Sequence, residues 1–305
     1  MDQTKLPNTE DYIQIASYEA MIQAIKNLAI RGAPAIGIAA TAAVYLAHLE
    51  LENQPDYTAN MTKAIDQIEA SRPTAVNLFI ATAKAREILH SNPTTEAFRE
   101  QVNTIMRYEY QACQRMAENG YQAIPKNFTR FLTHCNTGSL ATYGSGTALG
   151  VLKKIALHRR IEVFVDETRP LFQGARLTMW ELMKSNITCT LITDNMAAHT
   201  IKTHKIQAII VGADRIAKNG DVANKVGTYN LAILAKHFNV PFYVVAPKTT
   251  FDHTIEAGDD IIVEQRLPEE ITTINGYAIP PQKTQTFNPA FDVTPADLIT
   301  EIITD

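Results

Sequence analysis

Cys135 follows the stretch Phe131-Leu132-Thr133-His134 and precedes Asn136-Thr137-Gly138, so it should lie where a buried strand emerges into a loop. A thiol there, with an ordinary pKa of about 8.5, can exchange a proton near neutrality or stabilise a transition state, provided polar groups flank it. The competing reading is a small buried apolar side chain, the commonest fate of a free cysteine. Asp214 ends a second apolar run, Ala208-Ile209-Ile210-Val211, after Gly212 and Ala213. Desolvation at such a terminus raises a carboxyl pKa and suits a general acid or base. From position alone, an N-cap or a partner for Arg215 is an equal alternative.

Three further sets of residues suit an anion. Arg31-Gly32-Ala33-Pro34 lies between two helical patterns, where Gly32, Ala33 and the next helix start can present backbone N–H groups while Arg31 adds a fork of donors. Arg72-Pro73-Thr74 repeats the arrangement, and Asn224-Lys225 adds a cation near the same rim. Singly these are surface charges; together they suit one phosphate monoester rather than a polymer. Gly144-Ser145-Gly146-Thr147-Ala148-Leu149-Gly150 imitates a dinucleotide-binding turn, but its third glycine is one residue late and its first lies nine residues beyond Cys135. Close backbone packing and a helix start are the expected roles of these glycines. The eight histidines show no H-x-x-x-H and the acidic residues no EF-hand spacing, so no metal site is expected. Neither a P-loop nor a G-x-S-x-G elbow occurs.

The elements that must position these groups fall into two textures. Up to about residue 125 the chain reads as helices: Ser17–Ile30, Ala35–Leu51, Met61–Ala70, Ala75–Leu89 and Thr95–Glu118 carry apolar residues at three-to-four spacing. Asn92-Pro93-Thr94 and Arg72-Pro73-Thr74 break the pattern where helices should start. Afterwards, short apolar runs at Phe131–Cys135, Ile161–Val165, Thr188–Ile192, Ala208–Val211 and Pro241–Val245 alternate with helical stretches at Thr147–His158, Ala175–Lys184 and Thr228–Phe238. The alternation predicts an α/β fold whose second part is a doubly wound, mostly parallel sheet. The expected organisation is a helical N-terminal domain over 1–125 and a sheet domain over 126–305. Such sheets bind ligands beyond the carboxyl ends of their strands. All five predicted strand ends carry polar or reactive groups, so they should share one rim.

Composition narrows the classes further. The 305 residues are 46% hydrophobic and 20% charged, a balance that fits a packed core and excludes disordered or low-complexity scaffolds. A net charge of −4 offers no general attraction to nucleic acid or an anionic membrane. Cys113, Cys135 and Cys189 are odd in number and lack a C-x-x-C pair, which suits a reducing, cytoplasmic setting. The uncharged run Gly32–Leu49 has the length of a membrane span, but Pro34, Gly37, Thr41, His48 and its many alanines predict a tightly packed buried helix.

Taken in order, the motifs closely resemble the methylthioribose-1-phosphate isomerases of methionine salvage, a family shared with regulatory subunits of the translation-initiation guanine-nucleotide exchange factor. The matching segments include Asp2-Gln3-Thr4-Lys5-Leu6-Pro7, Arg31-Gly32-Ala33-Pro34-Ala35-Ile36-Gly37 and Thr133-His134-Cys135-Asn136-Thr137-Gly138. Asp166-Glu167-Thr168-Arg169-Pro170, Gln173-Gly174-Ala175-Arg176-Leu177, Gly212-Ala213-Asp214-Arg215-Ile216 and Asn219-Gly220-Asp221-Val222-Ala223-Asn224-Lys225 continue the match over nearly the whole chain. The resemblance implies a Rossmann-like sheet domain and a cofactor-free conversion of an aldose 1-phosphate to its ketose. It further implies that Cys135 stabilises the transition state or shuttles a proton, and that Asp214 donates one. Implied substrate contacts are Arg31, Gly32, Ala33, Arg72, Gln173, Asn224 and Lys225, and a homodimer is implied as well. That family usually carries extra residues before the Asp-Gln-x-x-Leu-Pro segment, so either a shortened N-terminal wall or a different native start codon is expected here. The alternatives are an isomerase of ribose 1,5-bisphosphate or 5-deoxyribose 1-phosphate, and a non-catalytic subunit that senses sugar phosphates or nucleotides.

Overall fold

Ser17 starts the first helix, α1 (Tyr18–Lys26), its hydroxyl accepting from the Ala20 N–H at 3.1 Å. The computed structural model describes residues 1–72 and 76–305, so Pro73 and Thr74 of the second anion motif lie outside the described residues. Helix α2 (Ala33–Leu51) is apolar on every side, as a helix must be when neighbours surround it. Around it pack α1, α3 (Tyr57–Glu69), α4 (Val76–Ser91) and α5 (Thr95–Ala123). Its buried Ile36, Ala40, Ala43, Val44 and Ala47 meet Ile65, Ile68, Leu78 and Ala85 in one apolar cluster. The span-length run is thus the central helix of a bundle. Thr94 caps α5 through the Ala97 N–H at 3.2 Å, and α5 places Phe98 in the bundle core but Ala112, Cys113 and Met116 against the sheet.

Next come β1 (Arg130–Thr133), α6 (Ala148–Ala156), β2 (Glu162–Asp166), α7 (Met179–Lys184), β3 (Thr188–Ile192), α8 (Ala197–Thr203) and β4 (Ala208–Val211). The remainder is β5 (Arg215–Ile216), β6 (Val222–Lys225), α9 (Thr228–Phe238), β7 (Phe242–Val245), α10 (Glu269–Thr272), the hairpin β8 (Thr273–Ile274) and β9 (Tyr277–Ala278), β10 (Phe291–Thr294) and β11 (Glu301–Ile303). Six strands form a parallel sheet in the order β11-β7-β4-β1-β2-β3. Alternate residues of each strand face opposite ways. Phe131, Val163, Val165 and Ile210 therefore join Leu149 and Leu152 of α6, while Leu132, Phe164, Ile209 and Val211 join Ile201 of α8 and Leu231 of α9. The α/β, mostly parallel reading holds, with a helical region ahead of it.

Several boundaries differ from the sequence expectation. Strand β1 stops at Thr133 and not at Cys135, because Cys135 adopts φ +61°, which no extended strand can continue. Helix α7 is preceded by a π-helical turn at Gly174–Thr178 where a regular helix was expected. Strand β11, helix α8 and an antiparallel sheet in the order β10-β6-β5 carried no signal strong enough to assign.

Candidate active site

The strand order dictates where a ligand can sit. From β1 the chain winds outward to β2 and β3, then returns to place β4 on the other side of β1. Connections leave in opposite directions at β1 and β4, so a crevice opens beyond their carboxyl ends. Cys135 lies just past β1 and Asp214 just past β4, and both line one cavity. Arg31, Gly32, Ala33 and Arg72 reach the same cavity from the helical region. Gln173 joins it from the turn before α7, and Asn224 and Lys225 from the end of β6. Cys135, Asp214 and the seven expected substrate contacts are thereby brought to one cavity. Asp214 precedes β5, not a helix, which removes the N-cap reading; Arg215 pairs with Asp252 at 3.7 Å.

Cys135 is held by two buried hydroxyls. Its N–H donates to Thr168 Oγ1 at 2.8 Å, and Thr178 Oγ1 donates to its carbonyl at 2.6 Å. These bonds sustain the left-handed backbone, which costs a non-glycine residue roughly 1 kcal/mol. Burial pushes the thiol pKa up against the opposing pull of Arg31 and Lys225, so the sulfur keeps its proton near neutrality. Burial likewise raises the Asp214 carboxyl pKa, although Lys225, Arg31 and Arg72 oppose it. The same desolvation lowers the Lys225 ammonium pKa, countered by Cys135 and Asp214. A protonated thiol and a carboxyl whose pKa burial raises therefore line one cavity with Arg31, Arg72 and Lys225, whose apolar wall includes Leu28, Ile36, Leu171, Ile261 and Phe291.

Helix α2 presents its N-terminus here without a side-chain cap. Gly32 has φ +95°, and a Cβ there would lie 2.6 Å from the Ala141 Cβ, so only glycine lets the helix start approach the turn after β1. The 144–150 glycine segment also packs backbone on backbone: Gly138 and Gly146 form an antiparallel bridge, and Thr147, just before α6, lines the cavity.

Residues that sequence reasoning passed over turn out to hold the site together. Arg31 spends two donors on Asn136, at 2.8 Å to Oδ1 and 2.8 Å to the carbonyl. Asn136 in turn donates to Oε1 of buried Glu181 at 3.0 Å. Glu181 also accepts from the backbone N–H groups of Ser139 (2.7 Å) and Leu140 (3.2 Å) and from Lys153 Nζ (2.7 Å). Nothing in the helical stretch Ala175–Lys184 sets Glu181 apart from a solvated glutamate. Glu181→Gln keeps the shape but removes the charge from these bonds, so it should cost about 2 kcal/mol in a urea melt. His134, Asp166 and Asp194 bring one ligand-type atom each within 4.8 Å of one another. Most of their ligand-type atoms are already hydrogen-bonded, His134 to Asp166 Oδ2 at 2.9 Å and Asp194 to the N–H groups of Thr168 (2.8 Å) and Arg169 (2.7 Å), while Asp166 Oδ1 is buried without a partner. That bonding suits an anchor for the strand ends better than a metal cradle.

Fold and cavity define a class: a doubly wound α/β protein with an anion-ready crevice carrying a buried thiol and a partly buried carboxyl. The chain belongs to the Initiation factor 2 subunit family, whose model matches residues 29–305. Methylthioribose-1-phosphate isomerase of Acetivibrio thermocellus is 46% identical over 316 residues, covering 100% of this chain and 92% of that protein. The enzyme of the same name from Geobacter sulfurreducens is 46% identical over 316 residues, covering 100% and 90%. The crystal structure of 5-methylthioribose 1-phosphate isomerase from Pyrococcus horikoshii OT3 superposes with a TM-score of 0.91 at 38% identity, covering 99% of this chain and 87% of that one. A structure from A. fulgidus described as translation initiation factor eIF-2B, subunit delta, superposes at 0.87 with 39% identity, covering 99% and 90%.

Proposed function

We propose that this chain is an aldose–ketose isomerase that converts 5-methylthioribose 1-phosphate to 5-methylthioribulose 1-phosphate in methionine salvage. The observation that carries the reading is the placement of Cys135 and Asp214 at the switch-point crevice, beside Arg31, Arg72 and Lys225. The isomerases named above, similar over the full chain, support the choice of substrate.

A sugar phosphorylated at its anomeric oxygen is locked as a ring. Opening it means protonating the ring oxygen while the phosphate stays attached, and the Asp214 carboxyl, its pKa raised by desolvation, supplies that proton. The C1–O bond then breaks with its electrons going to oxygen. Hydrogen passes from C2 to C1 either as a hydride, with the C2 hydroxyl proton returning to the Asp214 carboxylate to complete the ketone, or as a proton, with that carboxylate taking it from C2 to leave an enol and the Cys135 thiol protonating C1 before its thiolate takes the C2 hydroxyl proton. Arg31, Arg72, Lys225 and the start of α2 hold the phosphate, Gln173 and Asn224 orient the sugar hydroxyls, and the apolar wall excludes water. No step needs a cofactor.

Incubation with 5-methylthioribose 1-phosphate in D2O, followed by NMR, tests the reading: ketose must form, and deuterium at C1 marks the proton route while its absence marks the hydride route. Ribose 1,5-bisphosphate and 5-deoxyribose 1-phosphate belong in the same series, because a 5-phosphate needs a second cationic cluster where a methylthio group needs an apolar surface. The likeness to the A. fulgidus protein favours a second reading, a sugar-phosphate- or nucleotide-sensing subunit, which binding without turnover would establish. A cytoplasmic homodimer completes the proposal, and light scattering on purified protein reads its mass.

A further inference from the structure

His134 neighbours Cys135 in sequence, yet its imidazole is buried, 1% exposed, with both ring nitrogens bonded. Nε2 lies 2.9 Å from the Val226 carbonyl oxygen. A carbonyl only accepts, so Nε2 must carry hydrogen and donate it. Nδ1 shares a 2.9 Å hydrogen bond with Asp166 Oδ2 at the end of β2, which fixes the plane of the ring. The bond to Val226 joins two separate sheets. Cys135 leaves β1 of the parallel sheet, whereas Asn224 and Lys225 end β6 of the antiparallel one, and no strand is shared between them.

The turn after β6 is shaped to receive the imidazole. Gly227 has φ +105°, and a Cβ there would lie 2.9 Å from His134 Cε1, so glycine is what lets the backbone close on the ring. From the far side Asp292, paired with Asn224 in the β10–β6 register, accepts from the N–H groups of Gly227 (2.6 Å) and Tyr229 (3.0 Å). The Val226 peptide is thus gripped between His134 and Asp292, one residue from Lys225.

We infer that His134 is a positioning residue: through its hydrogen bond to Val226 it sets the distance between the Lys225 ammonium and the Cys135 thiol, and so the anion site at which the substrate phosphate is held. The inference rests on the proposed function for the identity of that phosphate. Two variants separate the halves of the imidazole. His134→Gln carries a donor at the place of Nε2 and keeps the grip on Val226; His134→Asn reproduces only the Nδ1 side. The expected result is a rise of about five- to tenfold in KM for the aldose 1-phosphate and in Kd for inorganic phosphate in His134→Asn, with His134→Gln within about twofold of the parent protein. A purely structural histidine would lower the active fraction, and so kcat, in both variants while leaving KM and Kd unchanged; that result overturns the inference, as does an equal loss of affinity in both. Should His134→Asn fail to fold, Gly227→Ala leaves His134 in place, pushes the turn off the ring by the contact of its methyl group, and must raise the phosphate Kd by a similar factor, an unchanged value again overturning the inference. Phosphate titration needs no turnover, so a chain that isomerises no sugar yet shows this pattern keeps the inference and loses the proposed function.

Discussion

Asp214→Asn lowers kcat by about 10^3-fold while the melting temperature holds or rises; that is the result expected if the carboxyl is a general acid. Asparagine keeps the shape and removes only the transferable proton. The stability half follows from linkage. Burial raises the folded carboxyl pKa above its ordinary range, so its favourable contribution is present at low pH and is lost as pH rises through the folded value. Above the ordinary carboxyl range, the uncharged variant escapes the cost that desolvation and Glu264 place on ionising this carboxyl and should be the more stable protein. The rate of the parent protein should fall on the alkaline side as Asp214 deprotonates. Lys225, its pKa lowered by burial, adds to that fall by weakening the phosphate site. Cys135→Ala should lose activity comparably with little change in stability, since the alanine backbone still donates its N–H to Thr168 and accepts at its carbonyl from Thr178. Activity against pH, paired with thermal melts of the three proteins, reads all of this. A Tm several degrees lower in Asp214→Asn, or a kcat within a few fold of the parent, would remove Asp214 from the chemistry.

The site residues were legible because a parallel sheet makes sequence position a spatial coordinate. Each apolar run ends at the same edge, so Cys135 and Asp214, some 80 residues apart in the chain, could be placed on one rim before any contact was known. What bridges the rim was not legible. His134 carried no role of its own in the sequence, yet its bonds run to Asp166 and Val226, and Asp292 lies far along the chain in a strand of the small antiparallel sheet. Such pairings depend on long-range register, for which local periodicity holds no record. Strand β11 escaped for a related reason. Glu301–Ile303 is three residues long, begins with a charge and is stabilised by pairing with β7, not by its own pattern. Arg31 shows the limit differently: its type and neighbours suggested an anion clamp, and it does line the cavity, yet part of its fork holds Asn136 and so braces the loop that carries the thiol.

Glu109→Gln should stabilise the protein by about 3 kcal/mol at pH 8 and by little at pH 5. Glu109 sits on α5 where the helix passes from the bundle to the sheet; it is 2% exposed, and its Oε2 has no hydrogen-bond partner. Burial, reinforced by the Asp305 carboxylate, pushes its pKa up to about 7 from 4.5. Because the folded value is the higher one, the folded state binds the extra proton between these limits. The contribution of Glu109 is fully present below about pH 4.5 and disappears as pH rises through about 7. Glutamine carries no charge to bury, so its advantage must grow over that window and level off above it. Other buried acids, Asp214 among them, titrate alike in both proteins and cancel in the difference. Urea melts of the two proteins from pH 5 to pH 8.5 measure it directly; a difference that stays flat with pH would mean that Glu109 is solvated or paired in solution, and that α5 does not seal against the sheet as described.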